Sequence, residues 1–338
     1  MKKKLFPIFF FLCFSITLFF VVSCTPEGPS LPGAAPPEGY FAVTATAGEH
    51  GSIDPSGEIS VPIGESITLK IIPDIYYKIK EVFVNGVSEG AIDTLVLTVT
   101  GGSANFTVHA TFKGKQEVRI DGQPYVYETI NSALNVAESS ETIVVYPGIY
   151  NEHVVLHGKN IVLKGCDPAD PSIVADTIID GGASHSVITC SGDDVSTITG
   201  LTIRNGGYTD HGGGINIYRC SPAIINNIII NNTALISGGG IYMEYSDATI
   251  IGNTISNNQS QTGTGGGINI FFDSSPIIRK NIITENTTNH GGGIYIYDSS
   301  PIIGGSDSGD TGNFNYIYDN IPDEVSPDNY PYNYFSNE

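Results

Sequence analysis

Four short stretches of the chain alternate inward and outward positions in step: Ile215-Asn216-Ile217-Tyr218, Ile241-Tyr242-Met243-Glu244, Ile268-Asn269-Ile270-Phe271 and Ile294-Tyr295-Ile296-Tyr297. A period of two is the mark of a strand with one buried face. Each stretch follows a Gly triplet, and the last Gly of the triplet (Gly214, Gly240, Gly267, Gly293) recurs after 26, 27 and 26 residues. Between the triplets a second phrase repeats at 221–232, 247–258 and 275–286, where runs of Ile are cut by Asn or Gly, which tolerate left-handed turns and disfavour helix. A repeat of this size cannot bury its own apolar side and needs neighbours above and below. The pattern predicts a right-handed parallel β-helix with one coil per repeat, coils about 4.8 Å apart and like residues laddered. Ile215, Ile241, Ile268 and Ile294 then form one inner column, while Asn227, Asn253 and Asn281 stack at a turn with bonded amides. Asn315 and Asn320 are expected to rejoin the Asn columns after a loop at 304–314.

Upstream, alternation marks five strand candidates at 40–46, 66–71, 82–84, 95–99 and 106–112, joined by turn chemistry such as Asn85-Gly86. The one helical pattern in the mature chain is 127–137, with Ile130, Ala133, Leu134 and Ala137 on one side. An open stack of strands exposes its first apolar layer, so this helix is expected to cap it. Runs at 142–152 and 160–165 supply the first coils, about seven in all.

The first residues differ in kind. Lys2 to Lys4 precede an unbroken apolar run from Leu5 to Val22 and then Ser23-Cys24, the layout of a secretory signal peptide over residues 1–23. From 24 to 39 the chain is Pro- and Gly-rich, too poor in apolar mass to fold, and reads as an extended tether. The expected division is therefore 1–23 signal, 24–39 tether, 40–114 small β domain, 115–320 β-helix and 321–338 a Tyr-rich tail. The formal charge of −20 becomes −23 once Lys2, Lys3 and Lys4 are removed, which argues against nucleic acid or anionic lipid as partners.

Val21-Val22-Ser23-Cys24 resembles the lipobox of bacterial lipoproteins, which implies acyl chains on Cys24, an exported chain, and anchoring at the outer membrane or cell surface. The phrases Gly51-Ser52-Ile53-Asp54-Pro55, Gly64-Glu65-Ser66, Tyr77-Lys78-Ile79-Lys80, Val84-Asn85-Gly86-Val87 and Ala110-Thr111-Phe112 resemble the internalin-type B repeat of bacterial surface proteins. That resemblance implies a small β-grasp-like spacer or interaction module. The helix, then Val144-Val145-Tyr146-Pro147-Gly148-Ile149-Tyr150-Asn151-Glu152, then Ile161-Val162-Leu163-Lys164-Gly165, is similar to the opening of the pectin-lyase-like β-helix superfamily. The Gly-triplet coils are similar to those of bacterial surface β-helix proteins, including polymorphic outer-membrane proteins and autotransporter passengers.

The superfamily includes pectin methylesterases, polygalacturonases and pectate lyases. Gly148-Ile149-Tyr150-Asn151-Glu152 matches the first methylesterase motif, but the later motifs, including one with Trp, have no counterpart in a chain that lacks Trp. His211, in Asp-His-Gly-Gly-Gly, departs from the polygalacturonase pattern, and Arg204 and Arg219 have no recognisable acid set beside them. Asp273 and Asp298 open an Asp-Ser-Ser-Pro phrase in successive coils, a separation of roughly 5 Å if the coils are in register. Such a pair can share a cation such as Ca2+, serve acid-base chemistry, or satisfy turn backbone. Asp307, Asp310 and Asn313 space oxygen ligands along a loop without the regular calcium-loop spacing. On the outward strand face, Asn216, Tyr242, Asn269 and Tyr295 make one column and Tyr218, Glu244, Phe271 and Tyr297 the next. Aromatics interleaved with amides can stack on sugar rings and bond their hydroxyls, or simply shield a strand. The expected function is non-enzymatic adhesion or binding of a polysaccharide or surface protein, set against a polysaccharide-active lyase or hydrolase and against an architectural spacer. Cys166, Cys190 and Cys220 allow one disulfide and one thiol, or three thiols.

Overall fold

The computed structural model describes residues 36–98, 105–156, 158–304, 314–322 and 325–328. The signal segment 1–23, Cys24, the tether as far as residue 35, the loop bearing Asp307, Asp310 and Asn313, and most of the tail lie outside the described residues. The chain divides into two compact units, with the boundary between Gly114 and Lys115.

The first unit is built from two sheets over one core. A five-stranded sheet runs in the order Gly57–Pro62, Tyr40–Ala47, Asn105–Gly114, Tyr77–Val84, Val87–Gly90, with Tyr40–Ala47 and Asn105–Gly114 parallel. A three-stranded antiparallel sheet is formed by Gly51–Asp54, Ser66–Pro73 and Thr94–Thr98. Alternation puts Phe41, Val43, Ala45, Phe106 and Val108 from the first sheet against Leu69, Ile71, Leu95 and Leu97 from the second. Asn85 (φ 49°) and Gly86 (φ 79°) make the tight left-handed turn that their sequence predicts. Among the described residues of this unit no helix packs on the five-stranded sheet; where a β-grasp fold has its helix, the second sheet takes the place. The reason lies in the pattern, since no stretch between 40 and 98 has a helical period. Three strands beyond the expected five, Gly51–Asp54, Gly57–Pro62 and Val87–Gly90, are short and rich in Gly, Pro and acids.

The second unit is a β-helix. Three sheets each stack seven parallel strands among the described residues, giving seven layers and six steps between them; Val118–Ile120 adds an antiparallel eighth strand to the edge of the first, beside Thr142–Val145. Sheet I contains Thr142–Val145, Val162–Gly165, Thr197–Thr199, Ala223–Ile225, Thr249–Ile251, Ile277–Arg279 and Ile302–Ile303. Sheet II runs from Gly148–Asn151 through Ile228–Ile230 to Tyr316–Tyr318, and sheet III from Val154–Leu156 through Ile215–Tyr218 to Val325–Asp328. The register is strict: Ile215, Ile241, Ile268 and Ile294 are aligned one above another and fully buried. Ile224, Ile250 and Ile278 do the same from sheet I, and Ile229, Ile255 and Ile283 from sheet II. A buried isoleucine contributes about 1.5–3 kcal/mol, and does so here only because the coils above and below exclude water.

The turns are held by amide ladders. Asn227, Asn253, Asn281 and Asn315 bond side chain to side chain in one column, and Asn232, Asn258, Asn286 and Asn320 in a second. The residue before a ladder Asn takes left-handed backbone at Asn226, Gly252 and Lys280 in the first column (φ 54°, 70° and 58°) and at Asn231, Asn257, Glu285 and Asp319 in the second.

The helix Ile130–Val136 covers the first layer with Ile130, Ala133 and Leu134 buried. Thr129 and Ser132 form a reciprocal cap at its start. The Glu152 carboxylate accepts from the backbone N–H of Ile130 (2.8 Å) and Asn131 (2.9 Å), while Lys159 Nζ donates to the carbonyls of Leu134 (2.7 Å) and Ala137 (2.8 Å). An anion at the start and a cation at the end both complement the helix dipole. A second helix, Pro171–Asp176, begins after its cap Asp170 and lies between coil strands; at six residues it is too short to leave a periodic signal. Cys166, Cys190 and Cys220 are all thiols, the last two buried.

Candidate functional site

Sheet III and the turn that follows it carry the candidate site. Each Gly triplet folds the preceding segment back across the outer face of sheet III. The first Gly takes left-handed backbone (φ 63°, 67°, 65° and 65° at Gly212, Gly238, Gly265 and Gly291), and at the second Gly of every triplet and the third of the first three a Cβ would meet backbone of a following segment. His211, Ser237, Thr264 and His290 then form a short parallel ladder of their own.

That return path corrects one expected contact column. Tyr242 and Tyr295 are only 4% and 6% exposed, Asn269 is fully buried, and Asn216 is half-buried. His211 stacks on Tyr242 with ring centroids 4.5 Å apart, and Asn269 donates to Thr264 Oγ1 at 2.7 Å. The Tyr242 hydroxyl donates to Glu244 at 3.0 Å, and burial followed by this bond raises its pKa well above the ordinary tyrosine value. The column is an inner layer under the glycine segments and offers a ligand little surface.

The second column is accessible and is joined by residues that strand alternation does not reveal. Tyr218 is 41% exposed, and Glu244, Phe271 and Tyr297 are half-buried. One position later, at the corner between sheets III and I, Arg219, Tyr245 and Phe272 adopt left-handed backbone (φ 53°, 50° and 33°), which swings their side chains beside the column. The rings run along the corner from coil to coil. Tyr218 meets Tyr245 edge-on at 6.3 Å, Tyr245 stacks with Phe272 at 6.1 Å, Phe272 meets Tyr297 at 5.4 Å, and Phe271 stacks with Tyr297 at 5.0 Å. Arg219 places its guanidinium over Tyr218 (5.2 Å) and Tyr245 (5.5 Å), and Tyr245 is itself 40% exposed. Contacts at these separations are favourable for aromatic pairs and leave part of each ring open to solvent.

Beside this row opens a cavity of about 450 Å³ bounded by Asp193, Val195, Arg219, Cys220, Ser221 and Tyr245. Its volume lies in the range of small-molecule sites, and it combines an aromatic face, a cation, a carboxylate and a hydroxyl. Within the wall Cys190 is hydrogen-bonded by Cys220, and that bond and burial push its thiol pKa far up, away from nucleophilic chemistry.

The register brings Asp273 and Asp298 into adjacent coils, where Asp273 N–H donates to the Asp298 carbonyl at 2.9 Å, and both side chains are exposed. Among the described residues no group of three or more His, Cys, Asp or Glu gathers to hold a metal. Arg204 is paired with Asp180 at 2.9 Å on sheet II, remote from Arg219 in the register. The methylesterase-like phrase has a structural use here. Tyr150 is buried with its hydroxyl donating to the Tyr146 and Glu117 carbonyls, and Glu152 holds the capping helix.

Residues 186–321 match a family profile described as a right handed beta helix region. Comparison with curated proteins and with solved structures returned no match. The matched span covers the Gly triplets, both amide ladders and the aromatic corner, and the stacked coils are those of a right-handed parallel β-helix.

Proposed function

We propose that this chain is an exported surface protein, anchored by lipid on Cys24, whose β-helix binds a glycan along the aromatic corner without turning it over. The observation that carries this reading is the continuous, partly exposed row Tyr218, Tyr245, Phe272 and Tyr297 beside a cavity that supplies Arg219, Asp193 and Ser221. Pyranose rings stack on aromatic faces through their apolar C–H surfaces, while cavity groups of this kind bond the hydroxyls. The lipobox-like Val21-Val22-Ser23-Cys24 supports the anchor, and the Pro-rich stretch after it gives the folded units reach from the membrane. The internalin-type resemblance of residues 40–114 fits a spacer or interaction module in the same setting.

The test is retention of glycans from a broad panel on the immobilised intact chain, with products analysed after incubation. Retention with no new reducing or unsaturated ends is the expected result. New ends identify an enzyme, and a panel with no retained member leaves an architectural spacer; either overturns the reading. Labelling with a fatty-acid analogue that is lost in Cys24→Ala checks the anchor separately.

A further inference from the structure

Resting on that reading, we propose that the aromatic corner selects a cationic glycan, a polymer of pyranose rings bearing free amino groups, over neutral or acidic glycans. The corner segments 191–196, 218–222, 244–248, 271–276 and 297–301 carry Asp193, Asp194, Glu244, Asp247, Asp273 and Asp298 against one cation, Arg219; Lys159, at the same corner of the first coil, is taken up by the Leu134 and Ala137 carbonyls. Asp194 is buried, with its carboxylate accepting from Gly158 N–H (2.9 Å) and Ser196 N–H (2.7 Å), so it belongs to the turn. Asp193, Asp247, Asp273 and Asp298 are exposed. They are set along the same edge as the rings: Asp193 N–H donates to the Arg219 carbonyl, Ser275 N–H donates to Asp247 Oδ1, and Asp273 lies over Asp298.

Coils are stacked about 4.8 Å apart, so a chain of sugar rings lying along the corner meets a fresh aromatic face and a fresh carboxylate within every coil or two. An ammonium on each ring gains both from the carboxylates and from the negative π faces. Arg219 does not reverse this preference, because its guanidinium lies over two tyrosine rings and Asp193 shares its cavity. The whole chain, at −20, attracts a polycation and repels a polyanion before contact. A basic peptide shares the charge but not the succession of flat rings, and the row of stacked aromatics favours the glycan.

The experiment is titration of the intact chain with a glucosamine oligosaccharide, its N-acetylated counterpart, an oligogalacturonate with and without calcium, and an oligolysine, at low and high salt. Four screened surface charges at a few tenths of a kcal/mol each give the amino form an advantage of about tenfold over the acetylated form, shrinking at high salt. Asp273→Asn with Asp298→Asn, which keeps residues suited to left-handed backbone, is expected to erode that advantage and leave acetylated binding unchanged. Equal affinity for amino and acetylated forms, tighter binding of the acidic oligosaccharide, or oligolysine binding that survives Tyr245→Ala overturns the selectivity. Failure of every glycan to bind sinks the glycan reading itself, so the two failures are distinct.

Discussion

Asn227 directs both its backbone N–H (2.9 Å) and its side-chain Nδ2 (3.1 Å) at the Oδ1 of Asn253, one coil on. Asn253 repeats the gesture toward Asn281, and also donates to the Ile224 carbonyl at 2.8 Å. Asn253→Ala therefore takes the acceptor from two donors on Asn227 and the side-chain donor from the Ile224 carbonyl in a buried turn, while Asn281 Oδ1 keeps the backbone N–H. At about 1–3 kcal/mol for each buried unsatisfied group, partly relieved by relaxation, the loss is expected to be about 3 kcal/mol or more. Asn257→Gly, at an exposed left-handed position, is expected to change stability by less than about 1 kcal/mol. Denaturant midpoints at unchanged slope measure both.

The glycine triplets make a second prediction. A Cβ on Gly266 would lie 2.6 Å from the Gly292 carbonyl oxygen and 2.7 Å from Thr287 backbone atoms, none of which can swing away. Gly266→Ala is expected to cost more than about 3 kcal/mol or to leave no soluble protein. Gly182→Asn, at φ 58° with open space around it, is expected to cost about 1 kcal/mol or less. Melting temperatures of the two variants separate close coil contact from a mere need for turns.

The capping helix is clamped at both ends, so each clamp has its own readout. Glu152→Ala leaves the N–H groups of Ile130 and Asn131 without their carboxylate and is expected to cost about 2–3 kcal/mol. Lys159→Met removes the bonds to the Leu134 and Ala137 carbonyls and is expected to cost about 1–3 kcal/mol. Hydrogen exchange of the amides at 130–137, compared with those of sheet II, shows whether the helix loosens alone or takes the first coil with it.

Acid sensitivity follows from His211. Burial lowers its pKa below the ordinary 6.5, although Asp210 and Glu244 pull the other way. The unfolded chain therefore takes up the proton first as pH falls. The His211 contribution is complete above the unfolded pKa and is lost as pH drops from about 6.5 toward the lowered folded value, below which it levels off. The difference in stability between His211→Gln and the parent, followed over this window, is expected to shift in favour of the variant as pH falls; a difference constant with pH contradicts it.

The stacking is legible because it needs only two periods, 26 or 27 residues between coils and two within a strand, and both are written in Ile and Asn. Tyr245, Phe272 and Arg219 escape such a reading, since left-handed backbone at the corner breaks the alternation that would announce them. Tyr242 and Asn269 show the opposite failure: alternation places them outward, but the glycine segments return over them, and nothing local to those strands encodes that path. The helix Pro171–Asp176 left only its start, Asp170-Pro171, as a sequence signal.

The ligand face proposed above is the corner of sheets III and I. The measurement that tests it most directly is the affinity of the intact chain for a retained glycan in two double variants, Tyr218→Ala/Tyr245→Ala at the corner and Thr254→Ala/Ile282→Ala on the outer face of sheet II. Loss of two stacking faces at about 1 kcal/mol each predicts a fall in affinity of about tenfold or more for the corner pair and none for the sheet II pair. Unchanged affinity in the corner pair, with both proteins folded, places the ligand elsewhere.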